Sequence, residues 1–167
     1  MQAVKPVRRA VKEQVKVKSF AGRGTEAEKV VKDFLDLWVV GSPFREFSRL
    51  TDSKAAGRII KAAPADFEYF CHRGLTPQHG LIEVKQTEHE YRLARDKVPQ
   101  LARLRKREKC GGTCCVLVYH STLKTWRVID TLTLADTGDK GSWNLAEEPQ
   151  FPTVAQALTY FSEAFRE

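Results

Sequence analysis

Pro64-Ala65-Asp66-Phe67 and Leu81-Ile82-Glu83-Val84-Lys85 decide how this chain folds. Strand side chains alternate between faces, so Glu83 and Lys85 share one face while Ile82 and Val84 enter the core. Between the two stretches, Arg73-Gly74, Pro77 and Gly80 supply turn chemistry. The strand beginning near Asp66 can therefore fold back antiparallel onto the one carrying Glu83, which sets the two carboxylates side by side.

Two carboxylates about 4 Å apart repel by roughly 4 kcal/mol at an effective dielectric near 20. They must separate, share a proton or bind a cation, and a divalent metal is the simplest resolution. Asp66, Glu83 and the backbone carbonyl of Val84, with waters and substrate phosphates, make the hard-oxygen shell that Mg²⁺ takes, with Mn²⁺ as the alternative. Lys85 beside that shell would orient a water nucleophile or stabilise developing negative charge. The expectation is a site for metal-dependent phosphodiester hydrolysis.

Asp66 followed by Glu83-Val84-Lys85 resembles the PD-(D/E)xK nuclease signature, with Pro64-Ala65-Asp66 in place of the adjacent Pro-Asp. Gly24-Thr25-Glu26-Ala27-Glu28 is similar to the G-x-x-x-E start of helix one in RecU-type and archaeal Holliday junction resolvases. Glu83-Val84-Lys85-Gln86-Thr87 resembles the E-A-K-E-T stretch of the RecU group, and Gln100 falls where that group has a glutamine after the active strand. The similarity runs from about Gly22 to Asp130. It implies an α/β fold with a restriction-endonuclease-like core, a central mixed sheet flanked by helices in α-β-β-β-α-β order. It also implies a homodimer acting on branched or duplex DNA, and a helix-one acid near the metal, for which Glu28 is the better match and Glu26 the reserve.

The bulk properties agree with a polyanionic partner. The 167 residues suit one domain, with 28 Lys and Arg against 21 Asp and Glu for a formal net charge of +7. Charge alone does not separate nucleic acid from an acidic membrane surface. No apolar run is long enough to span a bilayer, and the N-terminus lacks the apolar core of a signal peptide, which leads to the expectation of a cytoplasmic protein. Cys71, Cys110, Cys114 and Cys115 are then reduced thiols. Cys110-Gly111-Gly112-Thr113-Cys114-Cys115 lacks the paired spacing of a zinc knuckle.

Along the chain, residues 1–20 form a basic arm with Val4, Val7, Val11 and Val15 at helical spacing. It suits a phosphate backbone, a dimer partner or a solubilising tail. A helix is expected from Thr25 or Gly24 to Trp38, with a short strand over 44–50 after it. Arg49 belongs to the basic residues around the approach to Asp66. Thr87 and Glu90 have capping-box spacing, but Pro99 favours a helix capped by Asp96 that runs to Lys109. Arg92, Arg95, Gln100, Arg103, Lys106 and Arg107 are the candidate DNA contacts on and before that helix. Strands are expected over 113–119 and 125–130, a polar loop over 138–148, and a final helix capped by Thr153. The four histidines are read as solvated loop residues, with contact to DNA as the alternative for His72 and His79 beside the hairpin turn, and Trp126 is read as packing.

Overall fold

The structure, a computed structural model, describes residues 25–50, 63–73, 76–134 and 141–166. The basic arm, Gly24, the 51–62 approach and the Gly74-Leu75 connection lie outside the described residues.

Helix α1 spans Glu26–Val39 and begins where local chemistry dictates. Thr25 accepts a hydrogen bond from the Glu28 N–H while the Glu28 carboxylate accepts one from the Thr25 N–H, closing a capping box. Ala27, Val31, Leu35 and Trp38 recur at helical spacing and are buried. Strands β1 (Arg45–Arg49), β2 (Phe67–Arg73) and β3 (Thr76–Thr87) follow as an antiparallel meander. A short β4 (Arg92–Ala94) and a single 3₁₀ turn (Arg95–Lys97) lead to α2 (Leu101–Lys109). Then come β5 (Thr113–His120), β6 (Thr125–Asp130), β7 (Ser142–Asn144), β8 (Gln150–Phe151) and α3 (Val154–Phe161), the last capped by Thr153. The expected α-β-β-β-α-β order and C-terminal helix hold, with β4, β7 and β8 as additions.

The main sheet has six strands in the order β1-β2-β3-β5-β6-β8, and β3 with β5 is its parallel pair. A parallel pair needs a crossover, and α2 provides it. The crossover puts β3 in the middle of the sheet, with apolar cover on both faces. On one face α1 and α3 close over Phe67, Tyr69, Ile82, Val84 and Leu117. On the other, α2 and the small β4-β7 sheet close over Leu81, Val116 and Val118, using Leu104, Leu93 and Trp143.

Several local expectations change. Pro77 and Gly80 are strand residues, because only Gly74-Leu75 separates the paired Arg73 and Thr76. Gly80 is required by close approach: a Cβ there would run into the Tyr69 ring and the Thr113 carbonyl. Strand β3 continues through Thr87, so Thr87 caps no helix; its hydroxyl instead donates to the Arg92 carbonyl. Asp96 falls inside the 3₁₀ turn, and α2 starts after Pro99 with Gln100 at its N-cap. Residues 138–148 are not all loop, since Ser142–Asn144 pairs with Arg92–Ala94 and buries Trp143. Three thiols are buried, and Cys110 is exposed.

Candidate active site

Where β2 and β3 begin to diverge, Asp66 is pinned by its backbone on both sides. Its N–H donates to the Ile82 carbonyl at 3.2 Å and its carbonyl accepts from Leu50 N–H at 2.9 Å. The side chain then crosses to β3, where Oδ2 accepts the Val84 N–H at 2.7 Å. A strand residue directs its N–H and C=O to the same edge. The Val84 carbonyl therefore faces the edge that Asp66 occupies, while β5 bonds to the opposite edge of β3.

Glu83 points to the face covered by α2, between Leu81 and Lys85. That face is not solvated, as simple alternation on a half-buried strand would have it: Glu83 is 0% exposed. The Lys85 ammonium forms an ion pair with Glu83 Oε1 and lies 4.0 Å from Asp66 Oδ2. Glu83 Oε2 is buried and, among the described residues, accepts no hydrogen bond. Burial, then the Asp66 charge, push the Glu83 carboxyl up to about 7 against the pull of Lys85. Asp66 is raised as well, chiefly by burial, with Lys85 and the Val84 N–H opposing. An anionic buried oxygen with no donor is costly, and a cation at this point would offset that cost.

Glu28 stands close enough to raise both carboxyls. Its oxygens are engaged, Oε1 in the capping box and Oε2 with Arg49 at 2.8 Å. Arg49, expected on a phosphate, thus sits against Glu28, and Glu26 is exposed in the first turn of α1. Gln86 was missed as a positioning residue. Its Oε1 accepts the Ala27 N–H at 3.4 Å, tying the start of α1 to the active strand, and its carbonyl accepts from Lys97 Nζ at 3.4 Å. The signal was present in the sequence, since alternation puts Gln86 on the α1 face of β3, opposite Lys85.

The remaining candidates divide between two surfaces. Arg92 is exposed on β4, and the Arg95 guanidinium lies 5.7 Å from the Trp143 ring centre. Arg103, Lys106 and Arg107 are exposed along α2. Gln100 Oε1 is buried without a hydrogen-bond partner among the described residues. Arg105 points inward and donates to the Thr131 and Leu134 carbonyls. The histidines are not all solvated: His79 Nε2 lies 2.8 Å from Glu68 Oε1, and His120 is fully buried between the His89 carbonyl and Arg127. Trp126 is buried as expected.

Among the described residues, no group of three or more His, Cys, Asp and Glu side chains converges to hold a metal. The candidate centre therefore has two carboxylates. That set suits Mg²⁺, which is commonly held by one or two protein carboxylates with waters and substrate phosphates completing the octahedron. The donors present, two carboxylates and a strand carbonyl, are hard oxygens and fit the ion.

No family model matches the chain, and no curated protein matches it. Among solved structures it is similar to Hjc, a Holliday junction resolvase of the archaeal hyperthermophile Archaeoglobus fulgidus. The two share 20% identity over 83% of this chain and 100% of the other, with a TM-score of 0.49. No helix among the described residues is long and apolar enough to cross a membrane.

Proposed function

We propose that this protein is a metal-dependent endonuclease that hydrolyses DNA phosphodiesters, acting as a dimeric Holliday junction resolvase. The observation that carries the reading is the meeting of Asp66, Glu83 and Lys85 at one point, with one Glu83 oxygen buried and, among the described residues, unpartnered. Asp66, Glu83 and the Val84 carbonyl would hold Mg²⁺ or Mn²⁺. Bound there, the ion supplies Lewis acidity that lowers the pKa of water and offsets phosphate charge.

The protein's residues supply the rest. Val84 N–H fixes one Asp66 oxygen, leaving the other to turn toward the cation. Lys85 is already held between the carboxylates, so its ammonium lies where it can orient the attacking water or meet charge developing on the scissile phosphate. Glu28 adds negative charge at the rim, and its ion pair with Arg49 limits that charge. The exposed cations of α2 offer phosphates a surface on the same side of the sheet as Glu83 and Lys85. A symmetric junction has two equivalent scissile strands, which a two-fold dimer with one site per chain would match.

The test is incubation with labelled four-way junction and with linear duplex of matched sequence, with and without Mg²⁺. Expected is Mg²⁺-dependent cleavage that favours the junction, reduced about 10²- to 10³-fold by Lys85→Ala with DNA binding retained. Equal cutting of both substrates would make this a linear-duplex endonuclease. Binding that leaves every strand intact would make it a non-catalytic DNA-binding protein.

A further inference from the structure

Beyond the carboxylates, the same face of the sheet carries a strip of exposed rings that the cleavage chemistry does not use. Register puts Phe70 opposite His79, and the two rings stack at 4.6 Å with planes 18° apart. Phe44 meets His72 with ring centres 6.3 Å apart. Phe67, Tyr69 and Cys71 fill the α1 side of β2, so Phe70 and His72 necessarily face the α2 side, as do His79, Leu81, Glu83 and Lys85 on β3. Helix α2 packs over β5 and leaves this corner open: Phe70 is 45% exposed and Phe44 64%. Four residues of strand, about 13 Å, separate His79 from Glu83.

Two further observations indicate what the strip meets. His79 is held in its stacked orientation by Glu68, whose Oε1 lies 2.8 Å from Nε2. The ring is thus fixed as a flat surface, and the Glu68 charge is directed at it. The C-terminal turn of α2 abuts the strip, since a Cβ built at Gly112 would lie 3.2 Å from the Arg107 carbonyl and 3.6 Å from that of His79. Lys106, Arg107 and Lys109 are exposed at that end of the helix.

We propose that Phe44, Phe70, His72 and His79 form a stacking platform for unpaired bases of a DNA strand whose phosphates run along the basic end of α2. Every base has a π-face, so rings beside cations suit a single strand of any sequence. A second copy of this chain is the poorer occupant. Interface cores are depleted of charge, whereas this strip contains the Glu68-His79 pair, and close pairing would bring the basic ends of two α2 helices together in a chain of net charge +7. The proposal rests on the DNA partner of the preceding section and adds that nucleotides next to the scissile phosphate, paired in the free junction, are unpaired at its branch point when bound. Glu68 is then a positioning residue for His79.

The experiment measures binding by the full chain without metal, to a duplex bearing a single-stranded tail and to the same duplex fully paired. A fluorescent purine analogue in the tail reports stacking. Phe70→Ala should weaken binding of the tailed DNA by about 5- to 150-fold, equivalent to roughly 1 to 3 kcal/mol for one stacked base. It should also abolish the quench and leave paired-duplex affinity unchanged, and Phe70→Trp should restore both signals. An equal loss on both DNAs, or no loss on either, overturns the proposal. So does a change of Phe70→Ala from dimer to monomer in sedimentation with tail binding intact, which assigns the strip to a second copy. Because the readout needs no cleavage, an inert site would sink the nuclease reading alone, and an intact nuclease with an indifferent Phe70→Ala would sink the platform alone.

Discussion

Glu83 shares its face of β3 with Lys85 and is fully buried there. On a half-buried strand that face would be wet. The crossover through α2 instead makes β3 a central strand covered on both sides, a long-range fact that no local pattern holds. A measurable consequence follows from a carboxyl raised from 4.5 to about 7 in the folded chain. Between those values the native state binds more protons than the unfolded state, so this group's contribution to stability falls as pH rises and its full cost is present above about 7. The metal-free stability of Glu83→Gln relative to wild type should therefore grow from pH 5 to pH 8, by up to about 3 kcal/mol. Urea melts at both pH values check this. An advantage independent of pH would mean that Glu83 titrates as an ordinary surface carboxylate.

At the scale of elements, legibility followed how local the determining interaction is. The start of α1 is encoded in Thr25 and Glu28, and the sequence placed it correctly. The start of α2 was misplaced by a few residues because Asp96 has the capping chemistry that the actual N-cap, Gln100, lacks, while the structure places Asp96 in a 3₁₀ turn. Strand β7 escaped notice because its three residues carry one apolar side chain, Trp143, and it exists through pairing with β4 some fifty residues earlier in the chain. Gly80 was read as turn chemistry, yet it sits in β3 where a Cβ would meet the Tyr69 ring of β2 and the Thr113 carbonyl of β5. Gly80→Ala should cost about 1 to 3 kcal/mol, the usual scale of overpacking, visible as a lower urea midpoint with an unchanged slope. Stability equal to wild type would show that Tyr69 can move aside freely and that the close approach is not needed to set the hairpin register.

For the whole molecule, net charge and topology act together. The sheet order puts α2 on the same side as Glu83 and Lys85, so the exposed Arg103, Lys106 and Arg107 lie on the helix that covers that face. If about 6 to 10 phosphates are contacted, affinity for DNA should fall by roughly 10³ to 10⁵ between about 50 and 200 mM salt, and Arg103→Ala with Arg107→Ala should flatten that dependence. A slope indifferent to both changes, measured by titration at several salt concentrations, would assign these residues to solvent. Neither charge nor fold specifies the proposed cleavage, which would rest on two carboxylates held at the divergence of β2 and β3 with a lysine between them. Titration of the metal-free protein with Mn²⁺, read by electron paramagnetic resonance, tests that centre directly. The account predicts a site in the wild-type chain that is retained in Lys85→Ala and lost in both Asp66→Asn and Glu83→Gln; a wild type that binds no Mn²⁺, or carboxamide variants that bind it as well as wild type, would contradict it.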